Sequence, residues 1–63
     1  MLKKLASLLL IAYNYAINLG LAGRYAEALE LVERGQATCV RHNQFLHLPG
    51  FLAIQAECQF FLG

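Results

Sequence analysis

The chain has 63 residues, of which 59% are hydrophobic and 14% are charged, and its formal net charge is +1. This length forms at most one small domain, and such a domain buries only about 60% of the surface that its unfolded chain exposes. The lysines and arginines are scattered rather than clustered, and aspartate is absent, so the sequence speaks against direct nucleic-acid binding and against most catalytic constellations.

The first predicted helix covers about residues 2–22, where the apolar residues follow a helical rather than an alternating period. Its polar residues fall on one narrow stripe, and nearly all of the remaining circumference is apolar. Such a helix is expected to be buried on more than one side. The polar stripe consists of Lys4, Ser7, Asn14 and Asn18.

The same region has a basic start and an apolar run, as a signal peptide has, with a small-x-small site at residues 20–22. Against this reading, Asn14 and Asn18 interrupt the apolar run, and cleavage would destroy the helix. A membrane span needs about 20 predominantly apolar residues, which the same polar positions disfavour. We therefore expect a cytoplasmic protein with no membrane partner.

The second predicted helix, about residues 25–42, is amphipathic, with its glutamates and arginines opposite the apolar face. Arg24 is a poor N-cap, at a cost of up to about 1 kcal/mol. Gly35 either costs about another 1 kcal/mol or allows a close neighbour. Asn43 suits the left-handed conformation that ends a helix. The apolar face comprises Tyr25, Ala28, Leu29, Val32 and Cys39.

The third predicted helix, about residues 49–62, begins at Pro49, whose missing N–H is tolerated in the first helical turn. Gln55 and Gln59 mark its predicted solvent side. The short connections make neighbouring helices antiparallel, so residues 1–63 are predicted to form one all-α module, a helical hairpin followed by a third helix. The predicted apolar stripe comprises Phe51, Ile54, Cys58 and Phe61.

Cys39 and Cys58 are expected to be reduced and buried, although a disulfide between them is an alternative. With His42 and His47 they could in principle supply four zinc ligands, but the spacings match no zinc module. A Cys–His nucleophilic pair would lack an orienting carboxylate. The sequence therefore predicts no metal, no cofactor and no enzymatic activity.

The chain partly repeats itself after 40 residues. Gly23 and Gly63 each follow an apolar run, and Ala16 aligns with Ala56 at the same shift. A period of this size is typical of helical solenoids, in which hairpins stack on their neighbours.

The segment "YNYAINLGLAGRYAEALELVERG" resembles a tetratricopeptide repeat (TPR), most specifically in its "GRYAEAL" turn. The resemblance covers about one and a half repeats. The longer period and the stretches "RHNQFLHLPGF" and "AECQFFLG" are most similar to the repeat domains of bacterial transcription regulators that respond to peptides, in which a DNA-binding part precedes the repeats. The matching positions are Asn14, Ala16, Leu19, Gly23, Tyr25, Ala28 and Leu29.

The resemblance implies a protein- or peptide-binding module with an apolar groove that suits an amphipathic helix or an extended peptide. The lysine and asparagine pairs with which related repeats hold a peptide carboxylate are missing. The implied groove positions are Leu10, Tyr13, Ile17, Leu21, Ala53, Glu57, Phe60 and Phe61. The implied repeat-packing positions are Ala16, Gly23, Tyr25, Ala28 and Leu29.

The leading hypothesis is thus a TPR-like module that binds a protein or peptide and is part of, or related to, a bacterial transcription regulator. The alternative is a structural helical domain that self-associates as a homodimer without a separate ligand. Self-association is expected in either case, because roughly three repeats are needed for independent stability. Ile54, Phe60 and Phe61 are expected to face something outside the chain.

Overall fold

The computed structural model describes residues 2–63, and it describes the side chains of residues 4–63. It contains three helices, α1 (Leu2–Leu21), α2 (Tyr25–Arg41) and α3 (Leu48–Leu62). Every helix boundary lies within one residue of its predicted position, and the described residues contain no strand. The prediction of an all-α fold, with a helical hairpin followed by a third helix, is confirmed.

The first two helices end in the same way. Gly23 has a φ of 78° after α1, and Asn43 has a φ of 54° after α2. The Arg24 N–H donates a 2.9 Å hydrogen bond to the Leu19 carbonyl, and the equivalent bond closes α2 at the same length. These are Schellman turns, which satisfy carbonyls that the helix itself leaves unpaired. The predicted helix stop at Asn43 is confirmed.

The starts of α2 and α3 are weakly capped. Neither Arg24 before α2 nor His47 before α3 makes a side-chain capping hydrogen bond. The Arg24 guanidinium instead pairs with Glu27 in the first turn of α2, at 2.6 Å. Both side chains are exposed, so this pair contributes little to stability. Pro49 lies in the first turn of α3, as its sequence position predicts.

Helix α2 is the centre of the structure, because it packs against both other helices while α1 and α3 touch only sparingly. The core has two parts, and all its fully buried members are hydrophobic. The larger cluster comprises Leu9, Ala16, Val32, Cys39 and Phe51. The smaller cluster comprises Leu19, Ala28 and Cys58.

Aromatic rings pack directly on two glycines, and these contacts hold the three helices together. A Cβ atom at Gly35 in α2 would lie 2.8 Å from Cζ of Phe51 in α3. A Cβ atom at Gly50 in α3 would lie 2.5 Å from a ring carbon of Tyr13 in α1. The rings of Tyr13 and Phe51 meet edge to face, with centroids 5.9 Å apart. The sequence offered two explanations for Gly35, a cost in helix stability or a close neighbour, and the structure shows the close neighbour.

The expectation that α1 is buried on more than one side is wrong for the single chain. Leu8, Ile11 and Leu21 are 54%, 64% and 82% exposed, although each is a large apolar side chain. The reason is geometric: α2 covers one face of α1, and α3 reaches only its flank. A large apolar surface on α1 thus remains uncovered.

Two predictions about the faces of α3 are also wrong. Gln55 does not face solvent, because it is half-buried and its Oε1 accepts a 2.7 Å hydrogen bond from Nε2 of Gln36. Ile54 does not face outward, because it packs against both core clusters. The predicted apolar stripe of α3 is nonetheless the face that packs, since Phe51 and Cys58 are fully buried and Ile54 contacts the core.

We predict that Gly35→Ala destabilises the chain although alanine favours a helix. The added methyl group would meet the Phe51 ring, which is fully buried. Overpacking costs about 1–3 kcal/mol, and helix propensity returns about 1 kcal/mol. Urea denaturation should therefore show a net loss of up to about 2 kcal/mol in the free energy of unfolding.

The matched control is Gly20→Ala in α1, where an added Cβ would meet nothing within 4 Å. We expect this variant to be neutral or stabilised by a few tenths of a kcal/mol, since the position is near the helix end. If Gly35→Ala were stabilised to the same extent as Gly20→Ala, the close contact with Phe51 would be disproved.

Candidate functional site

The apolar residues of α1 that lie outside the core form two strips, which are separated by Ser7, Asn14 and Asn18 of its polar stripe. The outer strip, Leu8, Ile11 and Tyr15, lies on the α2 side, where Leu8 and Tyr15 line grooves together with α2 residues. Its i, i+3, i+7 spacing can be read from the sequence, but it does not stand out there because nearly the whole helix is apolar. The cleft strip, formed by Leu10, Ile17 and Leu21, lies on the α3 side.

A cleft with a volume of about 150 Å³ separates the C-terminal half of α1 from α3. Three of the predicted groove positions, Ile17, Leu21 and Glu57, come together here. Glu57 is the only ionisable group in an otherwise apolar or small-residue lining, apart from a buried thiol. The lining comprises Ala16, Ile17, Gly20, Leu21, Ile54, Glu57 and Cys58.

The structure places two other predicted groove positions, Tyr13 and Phe61, away from the cleft. Tyr13 is half-buried against Gly50 and stacks on His47, with ring centroids 6.0 Å apart. Phe61 stacks on Tyr25 at the start of α2, with ring centroids 4.7 Å apart and an angle of 9° between the planes. Both rings therefore hold helices together.

The last three predicted groove positions are exposed and do not line the cleft. Leu10 belongs to the cleft strip but precedes the cleft along α1, and Ala53 lies on the exposed side of α3. Phe60 is 80% exposed and touches only the edge of Phe61 among the aromatic rings described. Phe60 and Phe61 are exposed, and the expectation that they face something outside the chain stays a prediction.

The positions implied to pack the repeat lie around the α1–α2 turn and the smaller core cluster. Ala16 and Ala28 are fully buried, each where a larger side chain would push two helices apart. Tyr25 and Leu29 are half-buried against the smaller cluster. Gly23 forms the left-handed turn between the helices. These five residues thus position α1 and α2, and only Ala16 among them also lines the cleft.

Cys39 and Cys58 are both free and buried, as expected for structural cysteines. Burial raises the pKa of the Cys39 thiol. Burial, and then the charge of Glu57, raises the pKa of the Cys58 thiol. A raised pKa keeps a thiol protonated and unreactive. Among the described residues, no three His, Cys, Asp or Glu side chains lie close enough to hold a metal ion.

One segment of α1, Lys4–Leu21, is long and apolar enough to cross a membrane by length and composition alone. Its mean hydropathy is 1.2, and only 17% of its residues are buried in the single chain. A signal sequence or a helix that packs on other protein would pass the same criterion.

Comparison with known proteins adds no relative to this description. No family model matches the chain, and neither the curated proteins nor the solved structures contain a significant match to it. The functional argument therefore depends on the residues and geometry of the chain itself.

We predict that both thiols resist modification while the chain is folded. In the folded chain, the rate of reaction with 5,5′-dithiobis(2-nitrobenzoate) should begin to rise at a higher pH than in guanidinium, because the reactive thiolate forms only above the raised pKa. Ala37→Cys, at an exposed position of α2, provides the control and should react at once. Equal rates for the native and the introduced thiols would contradict the buried placement.

Proposed function

We propose that the chain is a TPR-like helical module that binds an apolar segment of a protein or peptide in the cleft between α1 and α3. The observation that supports this proposal most directly is the convergence of Ile17, Leu21 and Glu57 on that cleft. The TPR resemblance implied all three as groove positions, although they come from different helices. These three of the eight implied positions are the ones that support the cleft as the proposed binding site.

The shape of the cleft suits one or two apolar side chains. Its base contains Ala16 and Cys58, which are almost completely buried, and its edge contains Leu21, which is 82% exposed. A ligand side chain between them would cover apolar surface of α1 that the chain itself leaves in water. Burial of apolar surface stabilises a complex by roughly 25 cal/mol per Å² before the costs of association.

The charge of the cleft favours a particular class of ligand. Glu57 is exposed at its edge, and no basic side chain lines it. A peptide with leucine-like side chains at helical spacing and a lysine or arginine beside them would match both features. An acidic peptide, or one held by its terminal carboxylate, would meet like charge.

The wider assignment is also part of the proposal. The 40-residue self-match and the "GRYAEAL" turn support a repeat module that belongs to a bacterial transcription regulator or to a relative of one. The two free cysteines are typical of a reducing compartment, which supports a cytoplasmic location. The scattered positive charges favour a protein ligand over nucleic acid as the direct contact of this segment.

The test uses a fluorescein-labelled amphipathic peptide of leucine and lysine, with leucine at i, i+3, i+4 and i+7, and measures binding by fluorescence anisotropy. We expect saturable binding that Leu21→Glu weakens about tenfold, because a carboxylate at an apolar contact costs on the order of 1–2 kcal/mol. Leu21 is so exposed that the substitution should leave the fold intact.

Leu8→Glu is the matched control, since it makes the same change on the same helix across the polar stripe. It should leave the affinity for the peptide unchanged. A peptide that does not bind, or that is weakened equally by both substitutions, would refute the cleft as its site. A lysine-free peptide of the same length, with glutamate in place of lysine, should bind more weakly because of Glu57.

A further inference from the structure

We propose that the outer strip of α1 is the contact surface of a twofold symmetric dimer, in which the α1 helices of two copies lie antiparallel and cross near Ile11. This surface is distinct from the cleft, because Ser7, Asn14 and Asn18 separate the two along α1. The occupant is a second copy of the chain.

The outer strip continues into an apolar groove that a second copy could fill. The groove has a volume of about 240 Å³ between α1 and α2, and Leu8 of the outer strip is one of its lining residues. In an antiparallel pair centred on Ile11, Tyr15 of each copy would lie beside Leu8 of the other. A self-complementary patch of this kind is what a twofold axis requires, since each contact then occurs twice. The groove is lined by Leu5, Leu8, Leu9, Ala12, Leu31, Arg34, Gly35 and Thr38.

The distribution of charge specifies a second copy in the antiparallel orientation. The end of the bundle where α1 begins and α2 ends carries the basic residues Lys4 and Arg41 and, among the side chains that the structure describes, no acid. The other half has a net charge of −2, because its four glutamates outnumber Arg24 and Arg34. An antiparallel pair places the positive end of each copy beside the negative half of the other, whereas a parallel pair places like charges together.

The surface needed for a stable dimer is within reach. A standard interface buries about 800 Å² on each partner, which is slightly under one fifth of the 4443 Å² accessible surface of this chain. Helix α1 has 20 residues and is therefore about 30 Å long. A contact along most of this length that also includes the α2 side of the groove would bury an area of about this size. It would also cover the most exposed apolar side chains on the α2 side of α1.

Analytical ultracentrifugation tests the surface. We expect the wild-type chain to sediment as a dimer of about 14 kDa, twice the mass of the 7.0 kDa chain. Ile11→Glu should raise the dimer dissociation constant about a hundredfold, because the twofold axis brings two carboxylates together. Leu21→Glu, on the cleft side, should leave the constant unchanged within about twofold. Circular dichroism should show that both exposed-site variants stay helical.

Cross-linking tests the orientation. Lys4 and Asn18 lie seven residues before and after Ile11 on the exposed side of α1, so an antiparallel pair places one opposite the other. A mixture of Lys4→Cys and Asn18→Cys chains should form disulfides mainly between the two variants, and the native cysteines are buried. Disulfides mainly between like variants would overturn the antiparallel arrangement.

Two other outcomes would overturn the proposal as a whole. The first is a wild-type chain that remains monomeric at every concentration tested. The second is a chain that floats with phosphatidylcholine–phosphatidylglycerol vesicles and loses this property in Ile11→Glu, which would assign the outer strip to a lipid surface. Peptide binding at the cleft can succeed or fail independently of either result, because Leu21 lies on the other side of the polar stripe.

Discussion

The packing of Phe51 holds the three helices in one arrangement. Its ring is fully buried, lies over the bare backbone of Gly35 in α2 and meets the edge of Tyr13 in α1. Tyr13 in turn lies over the backbone of Gly50, next to Phe51 in the chain. Since α1 and α3 otherwise touch only sparingly, this pair of aromatic rings on two glycines sets the distance between them and hence the width of the cleft. Any loosening at Phe51 would change the cleft without touching its lining.

The small size of the core explains why so much apolar surface remains exposed. The fully buried side chains are few, and several are as small as alanine and cysteine. Small residues let the helices approach closely but leave little core volume, and a chain of this length has no second layer to cover the outer face of α1. Large apolar side chains such as Ile11, Leu21 and Phe60 are left in contact with water. Exposed apolar surface of this extent is what the proposed peptide and dimer contacts would cover.

Sequence periodicity predicted the three helices and their ends closely, because glycine, asparagine and proline at Gly23, Asn43 and Pro49 act through local backbone geometry. Periodicity also predicted the packed face of α3, at Phe51, Ile54 and Cys58. It wrongly placed Gln55 in solvent, because the hydrogen bond between Gln55 and Gln36 joins two helices and has no signature in the spacing within α3.

The candidate site, too, depends on contacts between helices, which spacing within one helix does not predict. Ile17, Leu21 and Glu57 were placed together by the TPR resemblance, which contains information on neighbouring helices. The resemblance also placed Tyr13 in the groove, but its ring packs on Gly50 instead. Whether a ring packs on a glycine depends on which helix crosses that glycine. A contact between residues far apart in the chain has no signature in the spacing of either one.

The two surfaces of α1 have a joint consequence that neither has alone. If two copies pair through the outer strip, the polar stripe of Asn14 and Asn18 separates that contact from the cleft, so each copy keeps its cleft open. The twofold axis then makes the two clefts equivalent and directs them oppositely along the pair. A ligand with two apolar segments, or a dimeric ligand, would gain affinity by occupying both, since the second contact becomes intramolecular. One cleft of about 150 Å³ would bind a single apolar segment weakly, but two clefts occupied together would support a selective interaction.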